Sequence, residues 1–153
     1  MNNYYSIIAP AKLNLNLFVK GKAENGLHLL ESDICFLELT DKIFLKFNAN
    51  DIFLQNKINT SLQINNKSNL ILDSLEVFRQ FTGWDKKFKI YLDKNIPIGA
   101  GLGGGSADAA ATLILLRKLF NKENVSRKIS MSNLFEIANE LGSDVPACLE
   151  SKS

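Results

Sequence analysis

The chain has 153 residues, 46% of them hydrophobic and 22% charged, which fits one globular domain with its own core. A formal net charge of +2 excludes bulk electrostatic attraction to nucleic acid or an anionic membrane, yet leaves room for a local basic site facing a phosphorylated ligand. A single histidine, His28, excludes a histidine-based zinc cluster, and Cys35 and Cys148 show no paired spacing, so reduced thiols in a cytoplasmic protein are expected. No apolar run approaches a membrane-spanning length of about 20 residues, and MNNYYSIIAP does not read as a signal peptide.

The first clear pattern is Lys12-Leu13-Asn14-Leu15-Asn16-Leu17, an alternation with period two. It predicts a strand with Leu13, Leu15 and Leu17 facing the core. Lys12, Asn14 and Asn16 then share the other face, which reads as solvated at Asn16 and as either solvated or the floor of a cleft at Lys12 and Asn14. A turn-rich segment runs from Lys20 to Gly26. Apolar residues return at Leu29 to Leu39 and Ile43 to Phe47, and Thr40-Asp41-Lys42 between them suggests a turn joining antiparallel strands. Asp51 to Gln55 and Leu62 to Ile64 read as short strands.

Ser68 is placed to cap a helix whose apolar residues Ile71, Leu75 and Phe78 follow at helical spacing, with Gly83 as its stop. Trp84 and the aromatics near it read as filler. Phe88, Ile90 and Leu92 alternate in a strand that leads into a glycine-rich loop. Helices are expected from about Ser106 to Phe120 and Ser132 to Leu141, with Gly142 ending the second in the left-handed conformation. Strands early and helices late argue for an α+β domain.

The loop is the most informative stretch: Pro97-Ile98-Gly99-Ala100-Gly101-Leu102-Gly103-Gly104-Gly105-Ser106, then Ala107-Asp108-Ala109-Ala110-Ala111. Five of the nine glycines fall within seven positions. Without Cβ atoms, backbone N–H groups can converge on an anion, and the alanine-rich helix that follows directs its own free N–H groups to the same place. Strand, glycine loop and helix N-terminus together make a phosphate cradle. Asp108 is read as a structural residue that suits the helix dipole. Gly99 to Gly104 also satisfies the dinucleotide pattern G-x-G-x-x-G, but Pro97 separates it from the strand and no first βαβ unit begins there. The P-loop pattern fails because no lysine follows the last glycine.

This loop resembles that of the GHMP kinases, P-x-x-x-G-L-x-S-S-A, with extra glycines similar to their diphosphocytidyl-methylerythritol branch. Four further segments resemble that branch in order: Ala9-Pro10-Ala11-Lys12-Leu13-Asn14-Leu15, Asn25-Gly26-Leu27-His28, Ser68-Asn69-Leu70-Ile71 and Leu141-Gly142-Ser143-Asp144-Val145-Pro146. The resemblance implies the family's N-terminal ATP-binding domain over residues 1–153, of the ribosomal protein S5 domain 2-like fold, with a mixed or antiparallel sheet packed on helices. It implies transfer of the ATP γ-phosphoryl group to a hydroxyl of 4-diphosphocytidyl-2-C-methyl-D-erythritol, in the methylerythritol phosphate route to isoprenoid precursors. Mg²⁺ would bridge the phosphates, with Ser106 as a candidate ligand.

Residue by residue, Asp144 matches the catalytic aspartate that accepts the hydroxyl proton, and Lys12 the lysine beside that hydroxyl. Read alone, Asp144 is equally a turn aspartate and Lys12 a solvated strand lysine. Pro97, Gly99, Ala100, Gly101, Leu102, Gly103, Gly104, Gly105 and Ser106 match the ATP loop, and Asn69 and Lys94 match positions on the adenine and phosphate side. Their plain alternatives are a helix-start asparagine and a surface lysine. Asn14, Leu27 and His28 match the substrate side, His28 toward the cytosine base. Leu27 stands where the family carries tyrosine, so one stacking surface is lost. Family members are roughly twice as long, so the second domain is expected to be absent. A non-catalytic nucleotide-binding fragment and a GHMP kinase for another small alcohol are the rival readings, and self-association through the surface left by the missing domain is expected.

Overall fold

The computed structural model describes residues 4–16, 18–22, 28–56 and 69–151, with 22 and 28–30 described by their backbone alone. The expectations for Leu17, Leu27, Leu62 to Ile64, Ser68 and the side chain of His28 therefore lie outside the described residues.

Strands β1 (Tyr5–Asn14), β4 (Ile34–Asn48), β6 (Lys87–Asp93) and β5 (Ile52–Gln55) form a mixed sheet in the order β1-β4-β6-β5. The first two pairings are antiparallel and the β5/β6 pairing is parallel. A hairpin of β2 (Phe18–Lys22) and β3 (His28–Glu31) stands apart, so part of the expected turn-rich segment is strand. Helices α1 (Leu70–Thr82), α2 (Gly104–Glu123), α3 (Met131–Leu141) and α4 (Asp144–Leu149) complete the α+β domain.

The core is assembled from the predicted periodicities. Phe88, Ile90 and Leu92 of β6 are buried, as are Ile43 and Leu45 beside them on β4. Ile71, Leu75 and Phe78 present the buried stripe of α1. Helix α2 is buried on most of its surface, and its small alanines at 107 and 109–111 let neighbours approach closely. Trp84 packs with Phe47, Phe78, Phe88 and Phe120 at ring-centroid distances of 5.5 to 6.1 Å where it touches them, a core cluster.

Local chemistry sets the helix limits. Asn69 caps α1: its side chain accepts from the Ile71 N–H at 3.0 Å. Gly83 ends that helix in the left-handed conformation, φ 70°. A capping box of Ser130 and Asn133 starts α3 at Met131, one residue before the expected start. Gly142 ends α3, but at φ 143° and ψ 159° its backbone is extended rather than left-handed. The polypeptide turns there into α4 directly, with Val145 N–H donating to Gly142 C=O at 3.2 Å.

Two further expectations are overturned. Thr40-Asp41-Lys42 is no turn: it lies inside β4, a single strand of 15 residues. Asp41 is fully buried and serves as an acceptor there, so a charged triplet interrupts the apolar pattern without interrupting the strand. In β1 the register with β4 shifts between Pro10 and Lys12. The extra residue places Ala11 and Lys12 inside together, and Leu13 and Leu15 are exposed at 37% and 64% where burial was expected.

Candidate functional site

Between β6 and α2 the backbone runs from Asn95 to Gly103 as an open loop, exposed at Pro97, Gly99, Ala100 and Gly101. Gly103 occupies the N-cap of α2 at φ 61°, a conformation that strains any residue with a Cβ. No side chain caps this helix. The first intrahelical bond here is Ala107 N–H to Gly103 C=O, so the N–H groups of Gly104, Gly105 and Ser106 precede the ladder. Free donors, a positive helix end and no side chain in the way are what an anionic phosphate requires. Leu102, Ser106, Gly103 and Gly104 are half-buried along its inner edge.

Lys12 holds one side of this loop. Its N–H donates to Leu102 C=O at 2.9 Å, and a Cβ on Gly103 would lie 3.3 Å from Lys12 Cβ and Cε. The side chain is 3% exposed, and its Nζ reaches Asp144 Oδ1 at 2.9 Å and Asn14 Oδ1 at 3.3 Å. Asp144 opens α4 and remains 51% exposed. A buried ammonium thus meets a carboxylate that solvent can reach, beside the glycine loop. The solvated-lysine alternative for Lys12 does not hold. Asn14 in turn receives the Ser32 hydroxyl at 3.3 Å, which ties the end of β1 to the residue after β3.

On the other side sits a second lysine. Lys94 is 5% exposed and donates from Nζ to Asp41 Oδ2 and, at 2.8 Å, to Asp108 Oδ2. It is therefore no surface lysine. Asp108 is the fifth residue of α2 and is 3% exposed, so the helix-dipole reading is corrected: its partner is an ammonium. Burial pushes the Asp108 carboxyl up to about 8, with Lys94 opposing and Asp41 reinforcing the shift. Two carboxylates on one buried cation favour a proton on one of them.

Asn69 lies 6% exposed at the start of α1, and its Nδ2 has no hydrogen-bond partner among the described residues. The next residue, Leu70, would touch a Cβ on Gly105 at 3.5 Å, which sets the starts of α1 and α2 side by side. Cys148 is buried in α4, and burial pushes its thiol up to about 11, an unreactive thiol beside Lys12 and Asp144. Cys35 and Cys148 are both free.

Lys12, Asn14, Asp144 and the glycine loop are thus brought together, and Asn69 and Lys94 flank the loop. Asp41 is the residue that sequence reasoning missed. The available signal was an acid between two apolar runs with no glycine, proline or asparagine to make a turn.

The model of the GHMP kinases N terminal domain matches residues 69–152, more than half of the chain. A 4-diphosphocytidyl-2-C-methyl-D-erythritol kinase of Ruthia magnifica subsp. Calyptogena magnifica is 36% identical over 146 residues, covering 95% of this chain and 49% of that protein. One of Syntrophomonas wolfei subsp. wolfei is 39% identical over 145 residues, covering 95% and 48%. The chain therefore spans about half the length of the curated relatives it matches. A crystal structure of 4-(cytidine 5'-diphospho)-2C-methyl-D-erythritol kinase superposes with a TM-score of 0.71 at 30% identity, over 95% of this chain and 48% of that one. A homoserine kinase of Cytophaga hutchinsonii, 18% identical with a TM-score of 0.63 over 97% and 43% of the two chains, shares the fold.

Proposed function

This chain belongs to the GHMP kinases, and we propose that it carries the ATP site and the catalytic pair of a kinase that phosphorylates a hydroxyl of 4-diphosphocytidyl-2-C-methyl-D-erythritol. The observation that carries this reading is the Lys12 Nζ to Asp144 Oδ1 contact of 2.9 Å beside an uncapped helix N-terminus. The names of the relatives supply the substrate.

Phosphoryl transfer depends on positioning and on charge stabilisation more than on covalent chemistry. The N–H groups of Gly104, Gly105 and Ser106 hold phosphate oxygens, and the loop from Pro97 to Gly103 wraps them. Asp144 accepts the proton of the attacking hydroxyl, since its carboxylate is reachable from solvent. Lys12 keeps that carboxylate oriented and offsets charge on the reacting oxygens. Asn14 holds Lys12 and faces the alcohol, and Leu27 and His28 belong to the segment that meets the cytosine. Asn69 flanks the adenine side. Lys94 acts behind the loop, because both of its carboxylate partners are buried with it.

Among the described residues no group of three or more His, Cys, Asp or Glu side chains is placed to hold a metal. A Mg²⁺ here fits only as an ion carried largely by phosphates and water, with the half-buried Ser106 hydroxyl as the protein's candidate ligand. Such an ion would neutralise charge between the phosphates. Among the described residues no helix is long and apolar enough to cross a membrane, and a cytoplasmic location is part of the proposal.

The test is ADP release from Mg-ATP with and without the diphosphocytidyl substrate. Substrate-dependent ADP supports the reading, and turnover with homoserine or mevalonate instead would overturn the substrate. The second reading, nucleotide binding without turnover, needs only the uncapped helix N-terminus and its glycine loop. A nucleotide-dependent melting shift with no product would establish it. Leu13, Leu15, Phe18 and Val19 are exposed around the end of β1 and the start of β2, a surface suited to self-association of this chain. A clean monomer on gel filtration would remove that part of the proposal.

A further inference from the structure

The glycine loop has two ends, and one carboxylate cluster grips both. At the entry, Asp41 Oδ1 accepts the N–H groups of Asn95 and, at 2.8 Å, Ile96. At the exit, Asp41 Oδ2 and Asp108 Oδ2 share the Lys94 ammonium, and Asp108 is built into α2. The fit is close: a Cβ on Gly104 would lie 2.9 Å from Lys94 Nζ and 3.0 Å from Ile96 Cγ2. Thus β4, the residues after β6 and the first turns of α2 meet at one point beneath the arc from Pro97 to Gly103. Asp41, Lys94 and Asp108 are all at least nine-tenths buried, so none of them is an open contact for a ligand.

We propose that Asp41 and Asp108 are positioning residues for nucleotide binding: clasped on Lys94, they close the base of the glycine loop and keep its N–H groups converged on the phosphates. The inference rests on the phosphate-binding reading above and extends it to two residues that touch no substrate. An arc pinned at both ends has few conformations to lose when an anion binds, so most of the ordering cost falls in folding rather than in binding. Losing the clasp raises the KM for ATP and leaves the alcohol side, built by Lys12, Asn14 and Asp144, unaffected.

The experiment compares Asp41→Ala, Asp41→Asn and Asp108→Asn with the unmodified chain by calorimetric titration of Mg-ATP and, where turnover is present, by separate KM values for ATP and alcohol. Asparagine keeps an acceptor for the Asn95 and Ile96 N–H groups, whereas alanine keeps nothing. The expected result is an affinity loss of about tenfold or more in Asp41→Ala, partial recovery in Asp41→Asn, and an unchanged KM for the alcohol. Asp108→Asn, which keeps an acceptor for Lys94 at the exit, falls between Asp41→Asn and the unmodified chain and nearer the latter. Should Asp41→Ala not fold, the two asparagine variants carry the test by the same ordering. Wild-type affinity in every folded variant would overturn the clasp. Absence of Mg-ATP binding by the unmodified chain would instead overturn the functional reading beneath it.

Discussion

Two lysines flank the same loop, and both end on aspartate. Lys12 and Lys94 are equally buried, at 3% and 5% exposure. Their partners differ: Asp144 is 51% exposed, whereas Asp41 and Asp108 are as buried as Lys94 itself. A pair with one end in solvent can exchange protons and partners at little cost. A sealed pair loses stability sharply when one member is removed, because the other stays charged and desolvated. The glycines mirror the division: Gly103 lies against Lys12 and Gly104 against Lys94.

The widest separation is expected in turnover. On the proposed kinase reading, Asp144→Asn should cut kcat by about a hundredfold or more and shift the melting temperature little, since the lost carboxylate is half exposed. Unchanged kcat would remove Asp144 from the chemistry and make the two pairs alike. Next in size is stability. Lys94→Met should cost about 3–5 kcal/mol in urea unfolding by stranding its carboxylates; a loss under about 1 kcal/mol would mean that solvent reaches the cluster.

The adjacent glycines give a smaller pair of effects. Gly104→Ala meets the pinned Lys94 and Ile96 and should cost about 1–3 kcal/mol by overpacking. Gly103→Ala should cost about 1–2 kcal/mol through its positive φ. Equal losses with no effect of Gly103→Ala on ATP binding would blur the contrast.

The subtlest readout is pH. Asp108 has an ordinary value of 3.8 and sits at about 8 in the fold, so the folded chain holds this proton more tightly. Its stabilising contribution is complete below about pH 4 and is lost as pH rises through 8. Asp108→Asn, a neutral stand-in for the protonated acid, should flatten that decline and exceed the unmodified chain in stability at pH 9. Urea unfolding at pH 5, 7 and 9 checks it, and parallel profiles would place the proton elsewhere.

These contrasts track what the sequence could and could not disclose. The glycine loop, the β6 alternation and the apolar stripe of α1 depend on neighbours a few residues away, and all were legible. The clasp was not, because Asp41 meets Lys94 across 53 residues and Asp108 meets it across 14. From composition alone an acid flanked by threonine and lysine reads as a turn. Lys12 misled for another reason: a register shift after Pro10 reverses which face of β1 is inside, and alternation carries no sign of a bulge. The resemblance placed Lys12 and Asp144 in the site where local pattern left them even or worse.

Strand β4 continues on both sides of residue 41, which pairs with Ala9 of β1 next to the point where the β6 pairing begins at Lys42. The clasp is therefore anchored within a continuous strand and not at a free strand end. Amide protons at Asn95 and Ile96, both bonded to the buried Asp41, should exchange with deuterium only when β4 and the segment after β6 part. Those a few residues on, at Gly99 to Gly101, should exchange almost at once. Within one short arc the molecule would hold its slowest and its fastest clocks, with the ligand meeting the fast end.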